Sequence, residues 1–382
     1  MTTPLRLVVH VGSPKTGTTY LQDVLQRAVR SGAAASGPGG ATPAVRMLPE
    51  RRRDAFWLMQ DVRGRLDARL DEPAAFDALP RFRRAMAELV ETGAGGTVLL
   101  SEEQLGAADP EQVTRLLDHA AGAQVHVVVT TRGLARALPS YWQQQLQVGA
   151  RVTFEEYVAQ VRERRGGFGP RFWRAWDPTS VLERWGPAVG SDRFHVVTVP
   201  RGGQPRELLD RFCQVLGTSV TDAGTDVARR RNESLGWPQA EVLRQVSVQL
   251  PDRLRNRRAF RAAGKEWLGL THLAAQGGER IVLPSRLEEW CREETARVVR
   301  GLADVHVVGD LADLDVAWED FGDDRWSPDE SAVRAAAVDA LASIVAERAD
   351  GAAAPRPGLE SGSGRAGLAA RAARRARAGF RR

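Results

Sequence analysis

A doubly wound α/β fold with a parallel sheet is predicted by short apolar runs that alternate with helix-like segments. The clearest runs are LRLVVHVG (5 to 12), TVLLSEEQL (97 to 105), QVHVVVTTRG (124 to 133) and RFHVVTVP (193 to 200). Their valine and leucine content is typical of strands buried on both faces of a parallel sheet. Since ligands bind beyond the carboxyl ends of such strands, the polar residues that end these runs are the candidate site.

Helices are predicted between and after these strands. The first runs from about Thr18 to Val29, and others are predicted at 74 to 92, in LARALPSYWQQQLQ after the third strand and in RELLDRFCQVLG after the fourth. The remaining expectations are a mobile loop at 31 to 54, a mostly helical part at 232 to 300 with a tryptophan-containing insertion at 264 to 272, and a further edge strand at 304 to 314.

The positive charge of the chain is concentrated at its end. Residues 361 to 382 hold seven arginines and no acidic residue, so the rest of the chain has 47 of the 54 basic residues against 48 acidic ones. We therefore predict one α/β domain at 1–350, followed at 351–382 by a Pro/Gly/Ser linker and a disordered Arg-rich tail. Because the body is near neutral, no nucleic acid partner is expected, and the tail is either a solvated terminus or a contact to anionic surfaces.

The chain has no apolar run of 18 residues, and MTTPLRLVVHVG lacks the order of a signal peptide, so a cytoplasmic protein without a transmembrane segment is expected. The two cysteines and six histidines have no metal-ligand spacing, and no metal site is predicted. Nothing in the sequence indicates an oligomeric state.

The loop between the first strand and the first helix, HVGSPKTGTTY, is the strongest candidate for a phosphate site. Amides of a glycine-rich turn that opens a helix form an anion cradle. Gly12 and Gly17 have the separation of a nucleoside-triphosphate loop, GxxxxGK[ST], but Thr18 replaces its lysine and Lys15 lies three residues earlier. Lys15 is one of only two lysines in the chain, which indicates that the loop requires a compact ammonium group.

The segment PKTGTT resembles the 5′-phosphosulfate loop of sulfotransferases that use 3′-phosphoadenosine 5′-phosphosulfate (PAPS). The resemblance implies a P-loop-like fold of the bacterial sulfotransferase type. It assigns the 5′-phosphosulfate to the loop residues Ser13, Pro14, Lys15, Thr16, Gly17, Thr18 and Thr19.

A second segment, TTRGLARALPSYW, resembles the 3′-phosphate element of the same family, in which an arginine ends a strand and a serine follows eight residues later. Arg132 and Ser140 have this spacing. An arginine at a strand end offers a fork of donors to a phosphate, and a serine two helical turns later converges on the same anion.

The third element is LLSEEQL, where a strand runs directly into Glu102 and Glu103. Transfer of a sulfuryl group requires a base for the acceptor hydroxyl, and the resemblance implies an acidic residue near this point. Glu103 is the first candidate base and Glu102 its competitor. The alternative is two solvated acids at the start of a helix.

A fourth segment, RRRNESLGW, resembles the region between the fourth strand and the helical part of the bacterial enzymes. Arg231 or Asn232 is the candidate for a further contact to the 3′-phosphate or adenine. The alternative is a solvated basic run before a helix capped by Asn232 or Ser234.

The sequence therefore predicts an enzyme that transfers a sulfuryl group from PAPS, as co-substrate and without a metal, to a hydroxyl of a carbohydrate or another alcohol. Lys15 would stabilise the leaving oxygen, and Glu103 or Glu102 would take the proton of the acceptor. Two alternatives stay open: a kinase or nucleoside triphosphatase with an altered loop, and a non-catalytic nucleotide-binding protein.

Overall fold

The structure is a computed structural model of the 382-residue chain. The residues that it describes are 4–31, 34–35, 45–64, 77–93, 95–220, 234–251 and 260–353. The chain divides into two units, Met1–Ala336 and Ala337–Arg382, and every site residue discussed below lies in the first.

A six-stranded sheet forms the centre of the first unit. Its strands, in their order across the sheet, are β3 (Val45–Met47), β4 (Thr97–Ser101), β1 (Arg6–His10), β5 (Gln124–Thr131), β6 (Phe194–Thr198) and β9 (His306–Val308). Every neighbouring pair is parallel. The predicted parallel α/β sheet is therefore confirmed, and its central strands β4, β1 and β5 are the ones that the candidate site follows.

Of the two edge strands of the sheet, one was predicted from the sequence and the other was not. β9 lies within the predicted edge strand at 304 to 314 and pairs with β6. β3 was not predicted, because the segment 31 to 54 was expected to be a mobile loop. Three residues of this segment, Val45 to Met47, pair with Thr97 to Leu99 of β4, so the neighbouring strand rather than a local apolar run makes them a strand.

Helices connect the strands. Their bounds are α1 (Thr18–Ser31), α2 (Arg52–Val62), α3 (Ala78–Glu91), α4 (Pro110–Leu117), α5 (Leu134–Leu146), α6 (Phe154–Arg162), α7 (Gly169–Trp176), α8 (Pro178–Val189), α9 (Pro205–Leu216), α10 (Trp237–Gln249), α11 (Glu288–Gly301) and α12 (Glu330–Ala353). A π-helix spans Arg261–Leu273, where the tryptophan-containing insertion was expected. Short strands pair β2 (Ala34–Ala35) with β7 (Ser219–Val220) and β8 (Leu283–Pro284) with β10 (Phe321–Gly322). No helix within the described residues is long and apolar enough to cross a membrane.

Helices cover both faces of the sheet. On one face α1 and α9 bury Leu25, Leu209 and Phe212 against sheet residues such as Val8 and Val128. On the other face α8 packs on β5 and β6, and α4 packs on α8. Burial on both faces explains why the strands are continuous apolar runs, and it confirms the doubly wound arrangement.

Three histidines form a hydrogen-bonded chain at the amino ends of adjacent strands, opposite the candidate site. His126 Nδ1 lies 2.9 Å from His195 Nε2, and His195 Nδ1 lies 2.9 Å from His306 Nδ1. Because His195 uses its two nitrogens in opposite directions, the rings form a line and do not converge on one point. Within the described ranges, no group of three or more His, Cys, Asp or Glu is placed to hold a metal ion.

This histidine chain predicts acid sensitivity of the fold. Burial, followed by the charge of Arg6, lowers the pKa of His126 to about 4, and burial followed by the neighbouring histidines lowers that of His195 to about 4. Asp192 opposes both shifts. Because the folded pKa values lie below the ordinary 6.5, this contribution to stability is complete above pH 6.5 and is lost as the pH falls towards 4.

We expect about 1 kcal/mol per histidine, since both rings are partly solvated. The measurement is the melting temperature between pH 8 and pH 4.5 for the wild type and for His195→Gln, which cannot be protonated in this range. The wild type should lose more stability than the variant across this interval. Parallel profiles for the two proteins would contradict the prediction.

Candidate functional site

The loop between β1 and α1 is held tightly against the sheet. A side chain at Gly12 would place its Cβ 2.1 Å from Thr130 Oγ1 and 2.5 Å from His10 Nε2, so no larger residue fits. The Ser13 amide donates to the Thr130 carbonyl oxygen at 2.9 Å. Lys15 and Gly17 have φ values of 67° and 87°. Left-handed residues of this kind occur in backbone nests that bind anions.

Two side-chain hydroxyls of the loop form hydrogen bonds within the protein, and a third does not. Ser13 donates to the Trp176 carbonyl oxygen at 2.9 Å, and Thr16 lies 2.7 Å from the Thr130 hydroxyl. Thr18 begins α1, and its buried hydroxyl has no hydrogen-bond partner among the described residues. Thr18 is therefore the loop hydroxyl that is placed to meet a ligand.

The side chains of Pro14 and Thr19, which were also predicted to bind the phosphosulfate, are less suited to contact a ligand. Pro14 is buried, whereas Thr19 is exposed and its carbonyl oxygen accepts from Arg52 at 2.6 Å. Sequence reasoning treated the hydroxyls of Thr18 and Thr19 as equivalent donors. The structure separates them, since only Thr18 is enclosed.

Lys15 lies in a half-buried, electropositive position. Burial is the main cause that lowers the pKa of its ammonium group, and the nearby charges of Lys265 and Arg132 lower it further. Glu103 opposes the shift. The structure thus brings together the loop lysine and the carboxylate that follows β4, as expected for neighbouring parallel strands.

The two adjacent glutamates have different environments. Glu102 is buried, and its carboxylate caps a short 3₁₀ helix (Glu103–Ala107) by accepting from the Gln104 amide at 3.0 Å. Glu103 is half-buried, and burial followed by the charge of Glu102 raises its pKa to about 7. Lys15 and Lys265 oppose this rise. Glu103 is therefore the glutamate that faces the lysines, while Glu102 has a capping function.

Thr18 also lies beside Glu103. Its hydroxyl is close enough to lower the pKa of Glu103, although the two groups do not meet the geometry of a hydrogen bond. Glu103 thus has the Thr18 hydroxyl beside it and the Lys15 ammonium within electrostatic reach.

Arg132 and Ser140 are in contact, as their spacing predicted. Arg132 Nη1 lies 3.4 Å from Ser140 Oγ and donates to the Lys15 carbonyl oxygen at 3.1 Å. The Arg132 Nε is buried without a hydrogen-bond partner in the described part of the chain. Burial, followed by the charges of Arg136 and Arg280, lowers its pKa to about 10. A guanidinium whose contacts are uncharged groups is prepared for an anion.

Three further arginines surround Arg132 and were not predicted. Arg136, Arg201 and Arg280 act on its charge, and the buried Asp320 binds Arg201 at 2.9 Å and Arg280 at 3.2 Å. Asp320 and Glu319, which lies 3.4 Å from Arg201, offset the charges of Arg201 and Arg280, whereas Arg132 and Arg136 form no ion pair among the described residues. Arg136 lies between Arg132 and Ser140 in the segment TTRGLARALPSYW but was not assigned a role, and no motif marks Arg201 or Arg280. The predicted contact Arg231 lies outside the described residues.

Lys265 is a second cation that sequence reasoning did not assign to the site. It lies on the π-helix and is half-buried, and its charge acts on both Lys15 and Glu103. The scarcity of lysine was a usable signal, since Lys15 and Lys265 are the two lysines of the chain.

No family model and no curated protein matches the sequence. Two solved structures are similar to it. One is a sulfotransferase from Alicyclobacillus acidocaldarius, with 17% identity and a TM-score of 0.36 over 57% of this chain and 84% of that chain. The other is the sulfotransferase domain from the curacin biosynthetic pathway, with 14% identity and a TM-score of 0.33 over 58% of this chain and 76% of that chain. Likeness at this level carries no argument about activity, which depends on the site itself.

Proposed function

We propose that the protein is an enzyme that transfers the sulfuryl group of PAPS to a hydroxyl acceptor. The observation that carries the proposal is the meeting of Lys15, Glu103 and Arg132 at the ends of three adjacent parallel strands. Each strand end supplies a group that the reaction requires. The loop supplies the phosphosulfate site, β4 the base and β5 the cation for the 3′-phosphate.

Arg132 and Ser140 would bind the 3′-phosphate. Their contact leaves the guanidinium with uncharged partners, and the neighbouring charge of Arg136, which has no ion pair within the described ranges, favours a dianion there. These cations favour a donor with a second, separate phosphate. A nucleotide with a single phosphate chain has no group that could bind Arg132 while the chain occupies the loop.

Glu103 would act as the general base. A carboxyl whose pKa is about 7 is partly ionised at neutral pH and binds a proton much more readily than an ordinary glutamate. During transfer, the acceptor oxygen forms a bond to sulfur while its proton moves to Glu103. The bond from sulfur to the bridging oxygen breaks, and the bisphosphate leaves with the electron pair.

Lys15 would stabilise that leaving oxygen. Its ammonium group lies near Glu103, and its pKa is lowered by burial, so its positive charge is held in a poorly solvated site. Charge that develops on the leaving oxygen is stabilised more strongly there than in water.

The alternatives are less well supported. A nucleoside triphosphatase requires lysine directly after Gly17, but Thr18 occupies that place and its hydroxyl is enclosed. A non-catalytic binding protein has no need for a carboxyl with a raised pKa beside the loop, and such a pKa is typical of catalytic acids and bases. The acceptor class that we expect is a weakly acidic alcohol, such as a carbohydrate hydroxyl, which gains most from a base.

Thermal stabilisation by 3′-phosphoadenosine 5′-phosphate (PAP), compared with ATP plus Mg²⁺, tests the proposal. PAP at a hundred times its dissociation constant should stabilise the protein by about 2.7 kcal/mol, which is about 3 °C for a chain of this size. Adenosine 5′-phosphate, which lacks the 3′-phosphate, is the matched ligand and should give a smaller shift.

Arg132→Ala is the matched variant. It should bring the shift with PAP down to that of adenosine 5′-phosphate, because the two ligands differ only in the group that Arg132 would bind. A shift with ATP and Mg²⁺ but none with PAP would show that the proposed donor is wrong.

A further inference from the structure

Trp176 joins two parts of the candidate site that are far apart in the sequence. It is the last residue of α7 and is buried. Its indole Nε1 donates to the Arg132 carbonyl oxygen at 3.0 Å, and its own carbonyl oxygen accepts from the Ser13 hydroxyl at 2.9 Å. One residue therefore holds both the loop that follows β1 and the end of β5 by hydrogen bonds.

These contacts close into a ring. Arg132 Nη1 donates to the Lys15 carbonyl oxygen at 3.1 Å, and Lys15 follows Ser13 by two residues in the loop. The bond from Arg132 to Lys15 uses the guanidinium that would bind the 3′-phosphate, so a ligand can compete for this donor. The bond from Trp176 to Arg132 uses a backbone carbonyl oxygen, which accepts hydrogen bonds and cannot bind an anion, so it is not exposed to this competition.

The surrounding structure fixes Trp176. Its indole ring stacks on Phe172, with ring centroids 5.5 Å apart and planes inclined by 14°. The next residue, Asp177, caps α8 by accepting from the Thr179 amide at 2.9 Å, and its other carboxylate oxygen accepts from Arg297 at 2.6 Å. Carbonyl groups in the last turn of a helix have no partner within the helix, so the Trp176 carbonyl is available to the loop. Both the ring and the carbonyl of Trp176 are thus held in place.

The separation of the two anion sites decides how well a ligand with two separate phosphates binds. Under the proposed function, on which this inference rests, the loop binds the 5′-phosphosulfate and Arg132 binds the 3′-phosphate. A ligand that occupies both sites binds best when their separation is fixed beforehand, because no ordering of the protein then opposes binding. A ligand with one phosphate gains nothing from a fixed separation.

We propose that Trp176 is a positioning residue, which fixes the separation of the loop and Arg132 and makes the site specific for nucleotides with both a 5′- and a 3′-phosphate. It acts through the Ser13 hydroxyl and the Arg132 carbonyl oxygen and requires no contact with the ligand. Its effect is therefore on the cooperation between the two phosphates, which is measured separately from the affinity for either one.

Four ligands measure this cooperation by calorimetry, with displacement titrations for the weaker ones: PAP, adenosine 5′-phosphate, adenosine 3′-phosphate and adenosine. Their dissociation constants form a cycle. The cooperation factor is the gain in affinity from the 3′-phosphate when the 5′-phosphate is present, divided by the same gain when it is absent. Repulsion between the two phosphates within PAP is the same for every protein variant, so it cancels when a variant is compared with the wild type.

Trp176→Phe keeps an aromatic ring and removes the indole donor. We expect it to lower the cooperation factor about fivefold, the usual effect of one hydrogen bond, and to change the affinity for adenosine 5′-phosphate by less than about twofold. Ser13→Ala removes the other hydrogen bond of Trp176 and should lower the cooperation factor as well. It decides the question if Trp176→Phe does not fold.

Trp173→Phe is the matched control. Trp173 is a buried residue of the same helix, and its indole nitrogen donates to the carbonyl oxygen of Val161 in α6 at 2.7 Å. Both tryptophan variants lose a buried indole hydrogen bond, so both should lower the melting temperature to a similar extent. Only Trp176→Phe should lower the cooperation factor, because the bond of Trp173 does not join the loop to β5.

The possible outcomes are distinguishable. If the wild type binds PAP no better than adenosine, the proposed function is wrong and the inference about Trp176 is wrong with it. If the wild type prefers PAP but Trp176→Phe, or Ser13→Ala in its place, keeps the wild-type cooperation factor, then only the inference about Trp176 is overturned. An equal loss of the factor in Trp173→Phe would show a general loosening of α7 and would also overturn it.

Discussion

Replacement of Lys15 by alanine is expected to lower the turnover of PAPS by about two to three orders of magnitude, the usual effect of removing a group that stabilises a leaving oxygen. The affinity for PAP should change much less, because the remaining loop and Arg132 still bind the two phosphates. The measurement is the rate of PAP release from PAPS with a carbohydrate alcohol or water as the acceptor, together with the dissociation constant of PAP.

The backbone at Lys15 provides a matched control. Its φ of 67° is strained for any residue with a side chain, so alanine keeps this strain and glycine relieves it. Lys15→Gly should therefore be at least as stable as Lys15→Ala and should lose the same activity. If Lys15→Ala kept turnover near the wild-type level, the role assigned to the ammonium group would be wrong.

Replacement of Glu103 by glutamine is expected to lower kcat/KM by about two to four orders of magnitude at pH 8, because the acceptor loses its base. In the wild type, kcat/KM should rise with pH and level off above about 7, since the base acts in its ionised form and the pKa of Glu103 is raised to about 7. The variant should lack this inflection. Glu102→Gln is the adjacent control and should keep an inflection, shifted to lower pH because the charge of Glu102 contributes to the raised pKa of Glu103.

Glu103→Gln should also stabilise the fold at high pH. Glu103 has a folded pKa of about 7 against an ordinary 4.5, so its ionisation opposes folding above pH 7 and has no effect below pH 4.5. Each unit of difference corresponds to about 1.4 kcal/mol as an upper bound. The melting temperature of Glu103→Gln should exceed that of the wild type at pH 8 and equal it at pH 4. If Glu103→Gln were less stable than the wild type at pH 8, the raised pKa of Glu103 would be contradicted.

The central sheet was predictable because four of its strands are buried on both faces. Such strands are continuous apolar runs, and the predicted bounds of β4, β5 and β6 differ from the observed ones by a few residues at most. β3 was not predictable in this way. Its three residues lie in a segment rich in Gly, Ala, Pro and Arg, and they are a strand because β4 supplies the pairing partner.

The site was predictable where it follows a strand. Lys15, Glu103 and Arg132 each lie in the segment that follows a buried strand, and the carboxyl ends of parallel strands meet at one edge of the sheet. Sequence reasoning left open which of the two adjacent glutamates faces the loop. Only the backbone of the short 3₁₀ helix, which engages Glu102 as its cap, separates them.

Lys265 and Arg280 could not be predicted from strand ends. They come from the helical part of the chain, more than 100 residues after Arg132, and neither belongs to an apolar run that ends in polar residues. The π-helix that carries Lys265 has no established sequence period. Both cations reach the site through tertiary packing.

The close fit of Gly12 against Thr130 and His10 has a consequence for the thermodynamics of ligand binding. The sheet beneath the loop sets its conformation, so the loop is preorganised when the protein folds. Binding of PAP then requires little ordering of this backbone and should show a heat capacity change no larger than that of the surface the ligand covers. With a larger residue at position 12, the loop could not be ordered against the sheet in the free protein. Binding of PAP would then have to order the loop, and this loss of entropy would weaken the affinity for PAP.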